Sequence, residues 1–375
     1  MLASIFILTA GIAALIIVFG WARPWAWLAV LQTDRPFHDL RTIQAAISAV
    51  DAGLDPRLDN PGDPDGRPMN YPWLWVWIAR VLGLDQDAYL YAFGGAMTLG
   101  FLIAMTLLPV RYPSWLWLPA LASTTVFSVI ALGNNDMLIF VMVMCAASVG
   151  GRPGLLLVGA ATALKLYPLA LLASNLWAPR QLLPALFIFA VALGLSWHDV
   201  QLVISATPQP AGWAYGAKTI ALATSGLLPW WAISLSTCAL AAVLAWHPVT
   251  RRALVASAPE GSPHRLMAAG SAIYVATFLV NANWDYRLIF LLLVLPWTLC
   301  QAPGKLRLVL LPAILIAMNE TLLVRLTYPG GYILTLVCEL VLANILLAWL
   351  LKTSLQALGI VDGDTTRNQA QPSTA

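Results

Sequence analysis

An all-α polytopic membrane protein is the fold class that this sequence predicts, and three observations predict it. Of the residues, 60% are hydrophobic and 10% charged, and the mean hydropathy is +0.78, far from the balance of a water-soluble domain. Long apolar runs recur along the chain, separated by short turns that carry much of the Lys and Arg. Threaded from an inside N-terminus, those basic turns fall on one side of the membrane, as the positive-inside rule requires. No polar region is long enough to fold separately, so residues 1–352 read as one transmembrane domain. Residues 353–375, rich in Asp, Thr, Asn, Gln and Ser, read as a disordered cytoplasmic tail. The net charge of +3 is scattered, which argues against a nucleic-acid partner. Cys145, Cys238, Cys300 and Cys338 lie inside apolar runs without metal-ligand spacing, and read as buried free thiols.

The elements follow in order. Residues 2–22 lack the basic start and small-residue cleavage site of a removed signal peptide, and so form an uncleaved first span. Residues 32–84 form an outer cap, acidic in character: seven Asp and four Arg, with no Lys or Glu, lie between Gln32 and Asn70. Within it Leu40, Ile43, Ile47, Val50 and Leu54 make one apolar stripe at helical spacing, the mark of a helix lying on a surface. Tyr71 to Leu84 is apolar but only fourteen residues long. At about 1.5 Å per residue it falls short of a bilayer of about 30 Å, so it reads as re-entrant. Trp73, Trp75 and Trp77 are expected at the headgroup level.

Further spans are expected near 88–109, 114–131 and 137–149. The run 154–178 is broken at Lys165-Leu166-Tyr167-Pro168 into two half-spans that meet outside. After them come 182–197, an outer loop from His198 to Pro229, and spans 230–246 and 267–281. One span returns to Lys305 and Arg307, one ends outside at Arg325, and 332–351 stops at Lys352. That is about twelve crossings, with both ends inside. The inner turns then hold Arg111, Arg152, Arg180, Arg251, Arg252, Arg265, Lys305, Arg307 and Lys352, with Glu260 their one acid.

In this threading the polar groups that are hard to excuse gather at the outer ends of the spans. They are Asp39, Asn134, Asn135, Asp136, Lys165, Tyr167, Lys218, Asn283, Asp285 and Arg287. Such groups at membrane depth are expensive and point to function. Lys165 and Arg287 run against the charge bias, so an anion is expected beside them. One carboxylate to take a proton, with two cations to neutralise a departing phosphate, suits chemistry on a lipid-linked phosphate. Plainer readings stand beside these. Asp39 also suits the N-cap of a helix that begins at Leu40, and Asp34 is a rival base. His38 reads as an interfacial bystander, and Gly133–Asp136 also suits an ordinary polar turn. Lys165 could snorkel to headgroups, and Arg287 could pair with Asp285 or Asp39. Glu320 and Arg325 read as a structural pair.

The order of motifs resembles a known family. A first span, an outer Asp, AAISAVDAGLDP, YPWLWVWIARVLGL, GNND opening a span, and GLLLVGAATALKLYPLALL follow one another. The pattern is similar to the GT-C superfamily of polyprenyl-phosphate-sugar glycosyltransferases, and most to glycosyltransferase family 87, the mannosyltransferase-like membrane proteins. That family has an aspartate in its first outer loop, a Tyr-Pro-Pro helix, and Gly-Gln-x-Asn and Lys-x-Tyr-Pro motifs. Here Tyr71-Pro72-Trp73 and Gly133-Asn134-Asn135-Asp136 depart from the second and third of these. The resemblance is readable over about residues 1–180, with NANWDYR as a later polar element.

The resemblance implies an inverting sugar transfer, mannose being one candidate, from a polyprenyl-phosphate donor to a glycan or glycolipid acceptor. The site would face outward from the plasma membrane. By the same resemblance Asp39 is the general base, and Lys165 and Arg287 take the donor phosphate. Asn134, Asn135 and Asp136, with Tyr167, Asn283 and Asp285, would line the sugar or acceptor site. The Trp213-Ala214-Tyr215-Gly216-Ala217-Lys218 loop would close over the acceptor, although Trp213, Tyr215 and Lys218 equally suit an interfacial anchor. No cofactor is demanded, and the acidic cap leaves a divalent cation open. The alternatives are a transporter or lipid flippase, which would favour internal repeats and midplane charges, and an acyltransferase, which would want a central histidine. The sequence shows no repeat, and His38, His198, His247 and His264 all lie away from the centres of the apolar runs.

Overall fold

Apolar runs satisfy their backbone internally, and in the computed structural model they do so almost wholly as helices. The structure describes residues 2–30, 35–109, 117–174, 179–195, 197–206, 214–247, 262–280 and 282–357. Asp34, Arg111, Trp213, Arg251, Arg252, Glu260 and the chain beyond Ala357 lie outside the described residues. In order come α1 (Leu2–Phe19), α2 (Ala22–Trp27), α3 (His38–Asp51), α4 (Leu74–Val81), α5 (Asp87–Thr106), α6 (Leu118–Leu121) and α7 (Thr124–Leu132). Next are α8 (Asp136–Val149), α9 (Gly151–Leu164), a 3-10 helix Tyr167–Ala173, α10 (Pro179–Leu195) and α11 (Trp197–Ala206). Then follow β1 (Ala214–Tyr215), α12 (Ala217–Ala223), α13 (Trp230–Trp246), α14 (Ser262–Val280), β2 (Asn283–Trp284) and a 3-10 helix Asp285–Leu293. The chain closes with α15 (Leu295–Cys300), α16 (Gly304–Ala317), α17 (Glu320–Thr327) and α18 (Gly330–Ala357).

Among the described residues α5 and α18 are long and apolar enough to cross a membrane alone. Two bent pairs raise that to four: residues 118–132 with α8, turned through 114°, and α16 with α17, turned through 75°. About twelve crossings were expected; by length and composition the described helices show these two to four, and other apolar helices, such as Gly151–Leu164 and Trp230–Trp246, are shorter. Several apolar runs are short or broken, as at Lys165, where α9 stops after 14 residues on an extended residue. The run expected to return to Lys305 is a 3-10 helix followed by the six-residue α15, and Leu288 to Leu295 are at most 1% exposed. Irregular backbone of that kind is tolerated at membrane depth only where protein surrounds it.

Other boundaries also differ. The loop read from His198 to Pro229 carries α11, β1 and α12. The last span does not stop at Lys352 but continues to Ala357, with Lys352 and Thr353 buried. The cap helix forms as its stripe predicts, burying Leu40, Ile43 and Ile47, whereas Leu54 lies past its end and is exposed. Trp75 is no interfacial anchor: it is fully buried, and its indole N–H donates to the Leu164 carbonyl at 3.0 Å. Trp77, two residues on, points outward and is 60% exposed.

Two devices place the site. β1 and β2 pair antiparallel, Tyr215 opposite Asn283, which ties the chain before α12 to the NANWDYR stretch. Phe37, the residue before α3, adopts a left-handed backbone at φ 57°, rare for a bulky side chain. Its ring packs on Trp21 and Tyr91 and fills the space above Gly94 and Gly133. Gly133 ends α7 at φ +62°, and a Cβ there would stand 2.6 Å from the Phe37 Cβ. Gly133→Ala therefore carries both a left-handed cost of about 1–2 kcal/mol and an overpacking cost of about 1–3 kcal/mol. Thermal unfolding in mild detergent should show a clear drop in Tm for this variant; an unchanged Tm would mean that the wedge is not tight.

Candidate functional site

The site is assembled where the cap meets the turn between α7 and α8. Asp39 lies in the first turn of α3, where the positive end of the helix favours a carboxylate. It is not the N-cap: Phe37 holds that position, with no side-chain bond to the helix end. The Asp39 side chain is spent elsewhere. Oδ2 accepts from the Asn134 amide at 2.6 Å, and Oδ1 accepts from Arg67 Nη1 at 3.2 Å.

Asn134 passes the connection inward. Its Oδ1 accepts from Lys165 Nζ at 3.0 Å and from the backbone N–H of Asp136 at 2.9 Å, the second bond starting α8. Lys165 also pairs with Asp136 Oδ1, which accepts the Tyr167 hydroxyl at 2.8 Å. Arg287 Nε stands 3.8 Å from Asp136 Oδ2, and its Nη1 donates to Asn283 Oδ1. Asn283 is fixed in turn by donating to the Thr277 carbonyl at 2.6 Å. Lys165 Nζ also lies 5.4 Å from the Tyr71 ring centre and 6.0 Å from that of Tyr286.

The structure thus joins Asp39, Asn134, Asp136, Lys165, Tyr167, Asn283 and Arg287 in one buried network. Arg287 pairs with Asp136, not with Asp285 or Asp39. The remaining expected residues take other places, Tyr215 being opposite Asn283 in the β pair. Tyr215 is a core residue, sharing a 2.6 Å hydrogen bond with Thr277 and stacking on Tyr274. Lys218 sits half-buried in the first turn of α12. Asn135 is buried, and among the described residues its amide finds no hydrogen-bond partner. Asp285 is buried, and its carbonyl accepts from Thr125 Oγ1 at 3.4 Å. Glu320 and Arg325 do not pair: five residues apart, they miss the three- or four-residue spacing that brings helical side chains together. Arg325 instead donates to the Ala26 carbonyl, while Glu320 is buried.

A cavity of about 30 Å³ opens beside Asp39, lined by Thr42, Arg67, Pro68, Asn70, Tyr71, Leu132, Trp284 and Tyr286. That is room for about two waters, so a larger ligand requires the lining to open. Neither Lys165 nor Arg287 lines it; the cation that does is Arg67. Sequence reasoning passed over Arg67, Thr42 and Asp63 because their partners are set by the fold of the acidic loop. The one signal was that four arginines stand among seven aspartates. Among the described residues no group of three or more His, Cys, Asp or Glu is placed to hold a metal ion. His38 bonds Asp65 at 2.7 Å. The chain matches no family model, no curated protein and no solved structure.

Asp63 is the residue on which the cap loop is built. Its carboxylate accepts from Thr42 Oγ1 at 2.6 Å, from the backbone N–H of Asp65 and Arg67, and from Arg67 Nε at 3.0 Å. Burial pushes its pKa up, but the bonds from Arg67 and Thr42 outweigh burial and hold it below the ordinary carboxylate value. A depressed carboxyl stabilises the fold above its unfolded pKa, and that contribution disappears as pH falls through the folded value. The cap should therefore loosen as pH drops below about 4. Asp63→Asn should lower Tm at neutral pH and show a flatter decline in acid than the wild type. Equal slopes for the two proteins would show that Asp63 does not hold the loop through its charge.

Proposed function

We propose that the protein is a membrane glycosyltransferase of the GT-C kind, moving one sugar from a polyprenyl-phosphate donor to an acceptor hydroxyl. The observation that carries this reading is Asp39: among the described residues it is the one carboxylate lining the cavity, and it is gripped from two sides by Arg67 and Asn134. A base held at two points is pre-positioned for an incoming hydroxyl. The walls suit a sugar, with polar groups from Thr42 and Asn70 and ring faces from Tyr71 and the stacked pair Trp284–Tyr286.

In the reaction, the acceptor hydroxyl gives its proton to Asp39 while its oxygen attacks the anomeric carbon. The bond from that carbon to the phosphate oxygen breaks, and its electron pair leaves with the lipid phosphate. A single attack of this kind inverts the anomeric centre, and one carboxylate is enough for it. Lys165, Asp136, Tyr167 and Arg287 serve by holding Asn134, and through it Asp39, in register. The membrane arrangement that goes with this reading has both termini cytoplasmic, about twelve crossings and the cap on the outer face of the plasma membrane.

Purified protein should release free lipid phosphate from at least one member of a panel of polyprenyl-phosphate sugars, mannose among them. Asp39→Asn should cut turnover per folded molecule by about 10²-fold or more. Wild-type turnover by the variant would reject Asp39 as the base. Substrate-dependent uptake into sealed vesicles with no product would favour a transporter.

A further inference from the structure

The donor phosphate has no cation assigned to it in the network just described. Lys165 is buried, and Lys165 and Arg287 both face Asp136, away from the cavity lining. We infer that Arg67 is the residue that receives the anionic group of the donor, and that it does so with the same guanidinium edge that holds Asp39. The inference rests on the glycosyl-transfer reading of this cavity.

Three observations lead to it. First, Arg67 lines the cavity with its side chain 24% exposed, more open than Lys165 at 7% or Arg287 at 16%. Second, its orientation is fixed from behind. Asp63, with no exposed side-chain surface, takes Nε at 3.0 Å and Nη2 at 3.2 Å, and Nη2 also donates to Thr42 Oγ1 at 2.9 Å. The planar fork cannot turn without breaking that set, so Nη1 is held towards Asp39, which with Arg67 lines the cavity. Third, burial works against the Arg67 charge, but Asp39 and Asp63 more than offset it, so the guanidinium stays cationic.

The charge flow of the reaction then closes on one residue. Before transfer, Arg67 faces the Asp39 carboxylate. During transfer, Asp39 gains the acceptor's proton and becomes neutral, while the departing phosphate gains the electron pair of the broken bond. Negative charge moves from Asp39 to the phosphate, and Nη1, with two hydrogens to give, stays beside both. Arg67 is thus a specificity residue for a phosphate-bearing lipid over the corresponding alcohol.

The test compares undecaprenyl phosphate with undecaprenol, binding each to nanodisc-embedded wild type and to Arg67→Gln and Arg67→Lys. Wild type should prefer the phosphate by about tenfold or more, Arg67→Lys should keep part of the preference, and Arg67→Gln should lose it. That ratio compares two lipids on one protein, so a general loosening of the cap does not produce its loss. If wild type binds the two lipids equally, both this inference and the lipid-phosphate donor fail. If wild type prefers the phosphate and Arg67→Gln prefers it as strongly, the Arg67 assignment alone is overturned. Phenylglyoxal labelling of the wild type decides the matter without a variant. Undecaprenyl phosphate, and not undecaprenol, should protect Arg67 from modification, and labelling indifferent to both lipids would overturn the inference.

Discussion

The hydrogen bond from the Asn134 amide to the Asp39 carboxylate is the contact on which the arrangement depends. It joins two parts of the chain 95 residues apart, the acidic cap and the turn between two apolar helices. Both groups are buried, so losing either side chain would leave the Asn134 amide N–H or Asp39 Oδ2 without this partner. On the cap side the bond continues through Arg67 to Asp63; on the helical side it continues through Lys165 to Asp136 and Arg287. Its geometry needs the backbone around it: Phe37 in a left-handed turn to launch α3, and Gly133 to leave room for that ring.

Charge balance explains why so many ionisable groups are tolerated together. Asp39, Asp63, Asp65 and Asp136 face Arg67, Lys165 and Arg287, four acids to three cations within one chain of contacts, the extra acid being Asp65, whose side chain is 56% exposed. Isolated, any of them would be costly to bury; paired and hydrogen-bonded, the set is permitted. Lys165 and Arg287 on one acid leave a surplus positive charge, which the Asn134 amide relays towards Asp39. The cavity sits at the edge of this balance, where Asp39 and Arg67 are the charged groups that line it.

Much of this was legible in the sequence, and the illegible parts have a common cause. The helical class, the stripe of α3, the break at Lys165 and the gathering of Asp39, Asn134, Asp136, Lys165 and Arg287 follow from periodicity and from the cost of polar groups among apolar ones. Crossing number was less legible, because apolar length does not tell a straight span from a bent pair or from a buried 3-10 run such as Asp285–Leu293. Trp75 and Tyr215 look interfacial by residue type, but tertiary contacts with Leu164 and Thr277 bury them. Arg67 was hidden because one more arginine in an acidic loop carries no periodic signal; only the folded loop turns it onto Asp63 and Asp39.

The most direct measurement is a double-mutant cycle on apparent unfolding free energy in mild detergent, with Asp39→Ala, Asn134→Ala and the pair. Contact between the two side chains predicts a coupling of about 0.5–3 kcal/mol, the pair costing less than the sum of the single changes. Costs that add to within about 0.5 kcal/mol would show that cap and helical turn do not meet through these residues, and the site built on that meeting would fall with it.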